Sequence, residues 1–159
     1  MIWRKSFSRV VILVIAILLL VPVLSACKTS EKEPEATEEV KPSNPGGTGE
    51  AVNLTGDATA GEQIFSQQCV PCHGEQGKGG VANAGSTDTT VPPLNPIDPG
   101  LYNSDPKVFA SNIDLFLEHG STPEGTSPEK TMPAFGDQKI LSSQQIADVI
   151  AYVISLNKK

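Results

Sequence analysis

Apolar side chains recur at helical spacing in three segments of the 159-residue chain. The clearest lies near the carboxyl end, where the apolar stripe comprises Ile146, Val149, Ile150 and Val153, widened by Tyr152 and Leu156. Ser142, with Gln145 three residues later, predicts a capping box at its start. We therefore expect an amphipathic helix from about residue 142 to residue 156.

A second helical segment is expected from Asp57 to about Cys69. Its N-cap is either Asp57 or Thr59, and Thr59 would form a capping box with Glu62. Ile64, Phe65 and Gln68 take neighbouring positions on this helix.

The remaining helical segment is capped at Ser104 or Asp105, has Pro106 in its first turn and ends at Gly120. Its apolar face comprises Phe109, Ile113, Phe116 and Leu117. No stretch of the chain sustains the period-two alternation of a strand, so the sequence predicts an all-α fold.

The amino terminus carries an apolar run, Val10 to Leu24, behind three basic residues. Its 15 residues would span roughly 22 Å as a helix, which is short for a hydrocarbon core of about 30 Å. Leu24-Ser25-Ala26-Cys27 resembles a bacterial lipobox, and this resemblance implies that residues 1–26 are a cleaved lipoprotein signal peptide and that Cys27 is lipidated. The alternative is an uncleaved anchor helix. Both interpretations predict a cell-membrane protein facing the periplasm or another extracytoplasmic space.

Residues 27–55 are expected to form a disordered acidic tether after the lipidated cysteine. Residues 28–55 contain six Glu, three Pro and three Gly with few large apolar side chains, so they bury too little surface to fold. As a coil they would average roughly 30 Å from end to end. The folded domain is then predicted to cover 56–159.

Composition points to a cofactor in this domain. The chain has 14 Gly and 13 Pro but only 5% aromatic residues, so a core made of protein alone would be thin. About thirty residues, 74–103, show no period at all, and a loop of that length in a small domain needs a function or a non-protein body to enclose.

The stretch Cys69-Val-Pro-Cys72-His73 could bind such a non-protein group. Two cysteines at this spacing suit a redox dithiol, half of a zinc site or a c-type haem attachment site. A dithiol of the thioredoxin type needs a βαβ context, which the sequence lacks. Zinc needs four ligands, and His73 directly follows Cys72 instead of belonging to a separate histidine pair. Haem accounts for the adjacency, because two thioethers on one helical turn let the next residue place its imidazole under the iron.

A histidine-bound iron has a sixth position, and Met132 is the one methionine outside the leader. It precedes Pro133 in a loop, and a thioether is a suitable neutral ligand that raises the reduction potential relative to a second histidine. His119, at the last turn before Gly120, is interpreted instead as a partly exposed helix-end residue whose charged form the helix dipole favours.

With these motifs in order, residues 56–159 resemble a class I monohaem cytochrome c. The resemblance rests on Gly61, Phe65 and Cys69 in the first helix, on "DVIAYV" at 148–153, and on the "MPAF" loop at 132–135. It implies three to four helices around one haem c, held covalently through two thioethers. It also implies that the Pro92 carbonyl accepts the N–H of the proximal imidazole, that Leu94 touches the ring, and that Val149 and Tyr152 lie where the last helix crosses the first.

The resemblance implies one-electron transfer, by an electron carrier or electron-transfer subunit and not an enzyme. The expected partners are membrane redox complexes: a quinol-oxidising complex, a terminal oxidase or a photosynthetic reaction centre. The protein would be a shuttle between such complexes or a subunit of one, with no small-molecule substrate. Cleavage before Cys27 would leave 9 Lys against 18 Asp and Glu, a net charge of −9 that disfavours nucleic acid.

Two other classes of function stay open at this point. A haem-based gas or redox sensor would have a displaceable Met132, and a haem peroxidase would need a distal acid or base, for which His119 is the available imidazole outside the attachment motif.

Overall fold

The computed structural model describes residues 40–158, which form four α-helices and two short 3-10 turns. The helices are α1 (Ala58–Gln68), α2 (Val70–His73), α3 (Pro106–His119) and α4 (Ser143–Leu156). The 3-10 turns are Glu50–Asn53 and Glu75–Gly77. Within this part of the chain the only β-pairing consists of three isolated bridges, which confirms the all-α prediction.

The helix ends follow the predicted capping signals. The Asp57 carboxylate accepts hydrogen bonds from Thr59 N and Ala60 N, so Asp57 caps α1 and the alternative capping box at Thr59 is not used. Asp105 caps α3 in the same way, with Pro106 in the first turn. Ser142 and Gln145 form the predicted capping box of α4.

Helices α1 and α4 cross at Gly61. A Cβ at this position would lie 2.0 Å from the Asp148 carbonyl oxygen, so only glycine permits the two backbones to approach this closely. The Phe65 and Tyr152 rings pack beside the crossing with their centroids 5.1 Å apart, and Val149 is buried there. The crossing expected from the sequence is therefore present.

The amino-terminal part of the described chain differs from the disordered tether expected for 27–55. The Glu50–Asn53 turn is ordered against the helices, and the Ala51 side chain is only 2% exposed. The Gly49 amide donates a 2.6 Å hydrogen bond to the Asp114 carboxylate of α3. The amino-acid composition did not predict this contact with the helices, because the contact depends on backbone hydrogen bonds and on close approach at glycine and not on large apolar side chains.

The signal peptide predicted for 1–26, Cys27 and the first part of the tether lie outside the described residues. Between residues 40 and 158, no helix is both long and apolar enough to cross a membrane.

Candidate functional site

The three residues of the attachment motif lie on one short helical turn. Cys69 ends α1 and begins α2, and its carbonyl accepts the His73 amide at 2.8 Å and the Cys72 amide at 3.1 Å. Cys69 is buried and Cys72 is half-buried, and neither forms a disulfide. Both thiols and the imidazole border the same cavity.

The orientation of the His73 ring is set by a proline carbonyl. Nδ1 lies 3.2 Å from the Pro92 oxygen, which can only accept, so Nδ1 carries the proton of this hydrogen bond. Burial lowers the pKa of His73, while the bond to Pro92 opposes that shift. The neutral tautomer that results keeps its lone pair on Nε2, the atom that is then able to bind a metal.

Pro92 and Leu94 are held in place by the loop that follows α2. The Leu94 amide donates to the Gly77 carbonyl at 2.7 Å, and the Val91 amide donates to the Val81 carbonyl at 2.8 Å. Gly79 has φ +67°, and a Cβ there would lie 2.6 Å from the Pro93 nitrogen, so glycine is required at this contact. These bonds bring the Pro92 carbonyl next to His73.

Met132 reaches the cavity from the segment after α3. Its backbone pairs with Ser121, with Met132 N donating at 2.8 Å and Ser121 N donating at 3.0 Å. Gly120 ends α3 with φ +69°, and a Cβ on it would lie 2.5 Å from the Met132 carbonyl oxygen. The end of α3 therefore packs directly against the segment 121–137, which we term the methionine loop.

The cavity has a volume of about 410 Å³, within the range of roughly 300–1,000 Å³ typical of ligand sites. His73 and Met132 both line it, as does Leu94. Most of the remaining wall is apolar and includes Phe65, Val91, Ile97, Leu101, Ile113, Phe116, Leu117, Phe135, Val149 and Val153. Two thiols, a neutral imidazole and a thioether around an apolar cavity are the groups that a covalent haem requires, so the residues present fit this cofactor.

The inner wall of the cavity disfavours charge. Burial, with a smaller contribution from the neighbouring Cys72, raises the pKa of Cys69 to about 12, so this thiol is neutral at physiological pH. Three acidic residues border the cavity, Asp88, Asp98 and Glu124, together with the basic residue Lys130.

Two asparagines that sequence reasoning did not select hold the cavity wall together. Asn83, 1% exposed, donates to the Lys130 carbonyl at 3.0 Å and accepts the Lys130 amide at 2.7 Å, linking the loop after α2 to the methionine loop. Asn157 accepts the Ile97 amide and donates to the Leu94 carbonyl. No local pattern marks either residue, because their partners are distant backbone groups.

His119 does not line the cavity. As expected it is the last residue of α3, and its ring contacts the Asp137 carboxylate and the Gly47 carbonyl. Among residues 40–158, no three His, Cys, Asp or Glu side chains are grouped to hold a metal ion, so the donors of a zinc site are not assembled there.

Comparison with known proteins matches residues 58–157 to the family described as Cytochrome c. The chain is 35% identical over 99 residues to the cbb3-type cytochrome c oxidase subunit CcoP of Rhodobacter capsulatus, covering 62% of this chain and 29% of that protein. It is 31% identical over 108 residues to CcoP of Cereibacter sphaeroides, covering 66% of this chain and 33% of the relative.

A third relative, the cbb3-type oxidase subunit FixP of Sinorhizobium medicae, is 31% identical over 100 residues, which are 63% of this chain and 30% of FixP. The chain therefore spans about a third of the length of these curated relatives. No solved structure matched the chain. The family match agrees with the helical architecture and confirms the class I cytochrome c fold. Because this match covers well over half of its residues, the chain belongs to the cytochrome c family.

Proposed function

We propose that the protein transfers single electrons through one haem c, attached to Cys69 and Cys72 and ligated by His73 and Met132. Membership of the cytochrome c family implies the covalent haem c and an electron-transfer domain. The number of haems, the axial ligands and the attachment to a membrane go beyond what family membership implies, and they form our proposal.

One observation carries the proposal: His73 and Met132 arise from distant parts of the chain, yet both border the same apolar cavity as the two cysteines. A bound haem would supply an iron that changes valence by one electron. With both axial positions filled by side chains, no position would be left for a substrate.

The roles of the surrounding residues follow from their contacts. The Pro92 carbonyl fixes the His73 tautomer and makes Nε2 a better ligand. Leu94 and the apolar side chains around it give the cavity a wall of low polarity that would suit a buried haem. The backbone bridge between Ser121 and Met132 holds the Met132 main chain beside the cavity.

We further propose that the chain is lipid-anchored through Cys27 and exchanges electrons with a membrane respiratory complex. The leader sequence supports the anchor, and three relatives are named as subunits of cbb3-type cytochrome c oxidase, which supports a partner of that class. The proposal includes both a shuttle and a permanent subunit. Purification in detergent separates the two, because a subunit stays with its complex whereas a shuttle does not.

Replacing Met132 with alanine tests the ligand assignment. The haem-loaded wild type is expected to show the weak red thioether–iron(III) band and to resist carbon monoxide in the ferrous state. Met132→Ala should lose the band, fall in reduction potential and bind carbon monoxide. Retention of the band in the variant would exclude Met132, and ready binding of carbon monoxide by the wild type would favour a sensor instead.

The anchor is tested separately by the mass of the mature chain. Lipidation predicts a first residue at Cys27 that carries acyl chains, whereas Cys27→Ala should yield an unprocessed or unacylated chain with unchanged haem spectra. An acyl-free wild-type chain that retains residues 1–26 would contradict the lipoprotein assignment.

A further inference from the structure

Residues 43–53, which we term the strap, lie along α3 and reach the segment that leads to Met132. At one end the Ala51 side chain is buried and the Gly49 amide bonds to Asp114. At the other end Asn44 Nδ2 donates to the His119 carbonyl at 2.5 Å. The strap thus follows α3 to its carboxyl end, where the methionine loop begins.

Ser43 connects the strap to the first two residues of the methionine loop. Its hydroxyl lies 3.1 Å from the Ser121 hydroxyl and donates to the Thr122 carbonyl at 2.5 Å. The Thr122 amide in turn donates to Ser43 Oγ at 3.0 Å. Ser121 is the residue whose backbone pairs with Met132, so the strap and Met132 both bond to the same short segment.

The His119 ring joins the strap to the far end of the methionine loop. Nε2 lies 2.7 Å from the Gly47 carbonyl oxygen, and Nδ1 lies 2.9 Å from Asp137 Oδ2. Neither oxygen carries a hydrogen to give, so both bonds form together only when both ring nitrogens are protonated. The cationic ring therefore makes one bond more than either neutral tautomer.

Gly46 and Gly47 of the strap differ in how much space surrounds them. A Cβ on Gly46 would stand 2.1 Å from His119 Nε2 and within 2.5 Å of two further ring atoms. A Cβ on Gly47, one residue later, would meet nothing within 4 Å. Neither residue has a positive φ, so alanine at these two positions differs in what its methyl group touches.

From these contacts we propose that the strap, bonded through His119, is a positioning element for the Met132 loop: it restrains the thioether at the cavity and weakens its hold when the His119 ring loses a proton. This inference rests on the proposed ligation by Met132. It assigns a role to the segment that composition alone marks as a linker.

The groups that face His119 favour its charged form. Asp137 belongs to the methionine loop, Glu118 and Asp114 lie on α3 itself, and the strap contributes the Gly47 carbonyl. The hydrogen bonds to Asp137 and then to Gly47 are the main causes that raise the pKa of His119, against a smaller opposing effect of burial. Because the pKa of His119 is raised in the folded protein, the ring is protonated and makes both hydrogen bonds below about pH 6.5, the ordinary pKa of histidine. One of the two bonds is lost as pH rises through the higher pKa of the folded state.

The test compares Gly46→Ala with Gly47→Ala in the full-length, haem-loaded protein. Carbon monoxide is the probe, since it competes with a ferrous thioether ligand and does not itself titrate. Gly46→Ala should displace the His119 ring and raise the affinity for carbon monoxide by roughly five- to tenfold, the effect of one or two lost hydrogen bonds. Gly47→Ala should match the wild type.

A pH profile supplies a readout that simple destabilisation would not give. Wild-type affinity for carbon monoxide should rise as pH increases above about 6.5, whereas His119→Gln, whose amide does not titrate, should show a flat profile at the higher affinity. This variant also serves if Gly46→Ala does not fold.

Two outcomes would overturn the proposal, and they are distinguishable. Equal affinity of Gly46→Ala and Gly47→Ala, or the wild-type pH step persisting in His119→Gln, refutes the role of the strap while the thioether band of the wild type upholds Met132. Absence of that band from the wild type refutes ligation by Met132 and the strap proposal together.

Discussion

Gly61 illustrates how a single residue determines the packing of two helices. The nearest atoms to a Cβ built there belong to the Asp148 backbone, at 2.0 Å and 2.5 Å, with Tyr152 Cβ at 3.0 Å. Backbone atoms cannot rotate out of the way as the end of a side chain can. An added methyl group must therefore push α4 away from α1.

We predict that Gly61→Ala lowers the free energy of unfolding by about 1–3 kcal/mol, the typical cost of overpacking. Alanine favours a helix by up to about 1 kcal/mol over glycine, so a net loss of stability is a lower limit on the cost of the steric conflict. Denaturant unfolding of the haem-loaded protein gives the value. Gln67→Ala, on the exposed side of the same helix, is the control and should change stability by less than about 0.5 kcal/mol. A Gly61→Ala protein as stable as the wild type would refute the close crossing.

Asp114 is a second residue with a measurable consequence. Its side chain is 0% exposed, Oδ2 accepts the Gly49 amide, and Oδ1 has no hydrogen-bonding partner between residues 40 and 158. Burial raises the pKa of this carboxyl, opposed by the bond from Gly49 and by the charge of His119. The folded protein therefore holds this proton more tightly than the unfolded chain does.

The raised pKa gives the sign of a pH effect. Between the unfolded value of about 3.9 and the higher folded value, the native state binds more protons, so Asp114 lowers stability as pH rises through that window. Asp114→Asn keeps an acceptor for Gly49 but cannot ionise. We predict that the variant gains stability relative to the wild type between about pH 4 and pH 7, measured by denaturant unfolding at each pH. A difference that does not change with pH would contradict a raised pKa.

At the scale of elements, helices were predictable where periodicity and caps agreed. Asp57, Asp105 and the Ser142–Gln145 box all cap the helices they were expected to start. The loop at 74–103 and the strap were not predictable in this way. Their order depends on pairings between backbone groups far apart in sequence, such as the Thr87 amide with the Glu124 carbonyl, which leave no local pattern.

The residues of the candidate site likewise fall into those that the sequence predicted and those that it did not. Cys69, Cys72 and His73 are adjacent in sequence, so the motif itself revealed them, and Met132 followed because it is the one methionine outside the leader. Asn83 and Asn157 act through distant carbonyl and amide groups and could be found only in three dimensions. The axial roles of His73 and Met132 stay predictions for the spectroscopic test.

The end of α3 provides a prediction at this scale. Gly120 combines a positive φ with three backbone neighbours from Met132, Pro133 and Ala134, all within 2.8 Å of a Cβ. Gly80 also has a positive φ, +75°, but open space around it. The two glycines therefore share a positive φ, which alanine tolerates poorly, and differ in the contact with the methionine loop.

We predict that Gly120→Ala weakens or abolishes the thioether–iron(III) band, because the methyl group displaces the Met132 backbone. Gly80→Ala should lose about 1–2 kcal/mol of stability from the left-handed conformation but keep the band. Absorption spectra of the two ferric variants, taken where both are folded, make the comparison. Identical spectra would mean that α3 does not position Met132.

For the whole molecule, charge is the property that governs encounters. The chain carries 18 Asp and Glu against 12 Lys and Arg, and within 56–159 the balance is 12 acidic to 6 basic residues. Asp88, Asp98 and Glu124 border the cavity itself. An oppositely charged partner would be attracted to such a surface over a distance of about one Debye length.

We predict that the rate of electron exchange with a cationic redox reagent falls as salt rises from about 10 mM to 500 mM, while exchange with an anionic reagent becomes faster. Stopped-flow mixing of the haem-loaded protein with each reagent measures both rates. Asp88→Asn should flatten the dependence more than Glu62→Gln, since Glu62 lies on α1 and does not border the cavity. Equal salt dependence for reagents of opposite charge would contradict electrostatic steering.

The docked strap also changes how far a lipid-anchored cytochrome could travel. If Cys27 holds the lipid, only residues 28–42 separate it from the first strap residue, and fifteen residues extend to at most about 50–54 Å. Val40, just before the strap, lies on the cavity wall. A linker of this length, starting beside the cavity, would keep a bound haem within about that distance of the lipid anchor, so partners embedded in the same bilayer would be within its range.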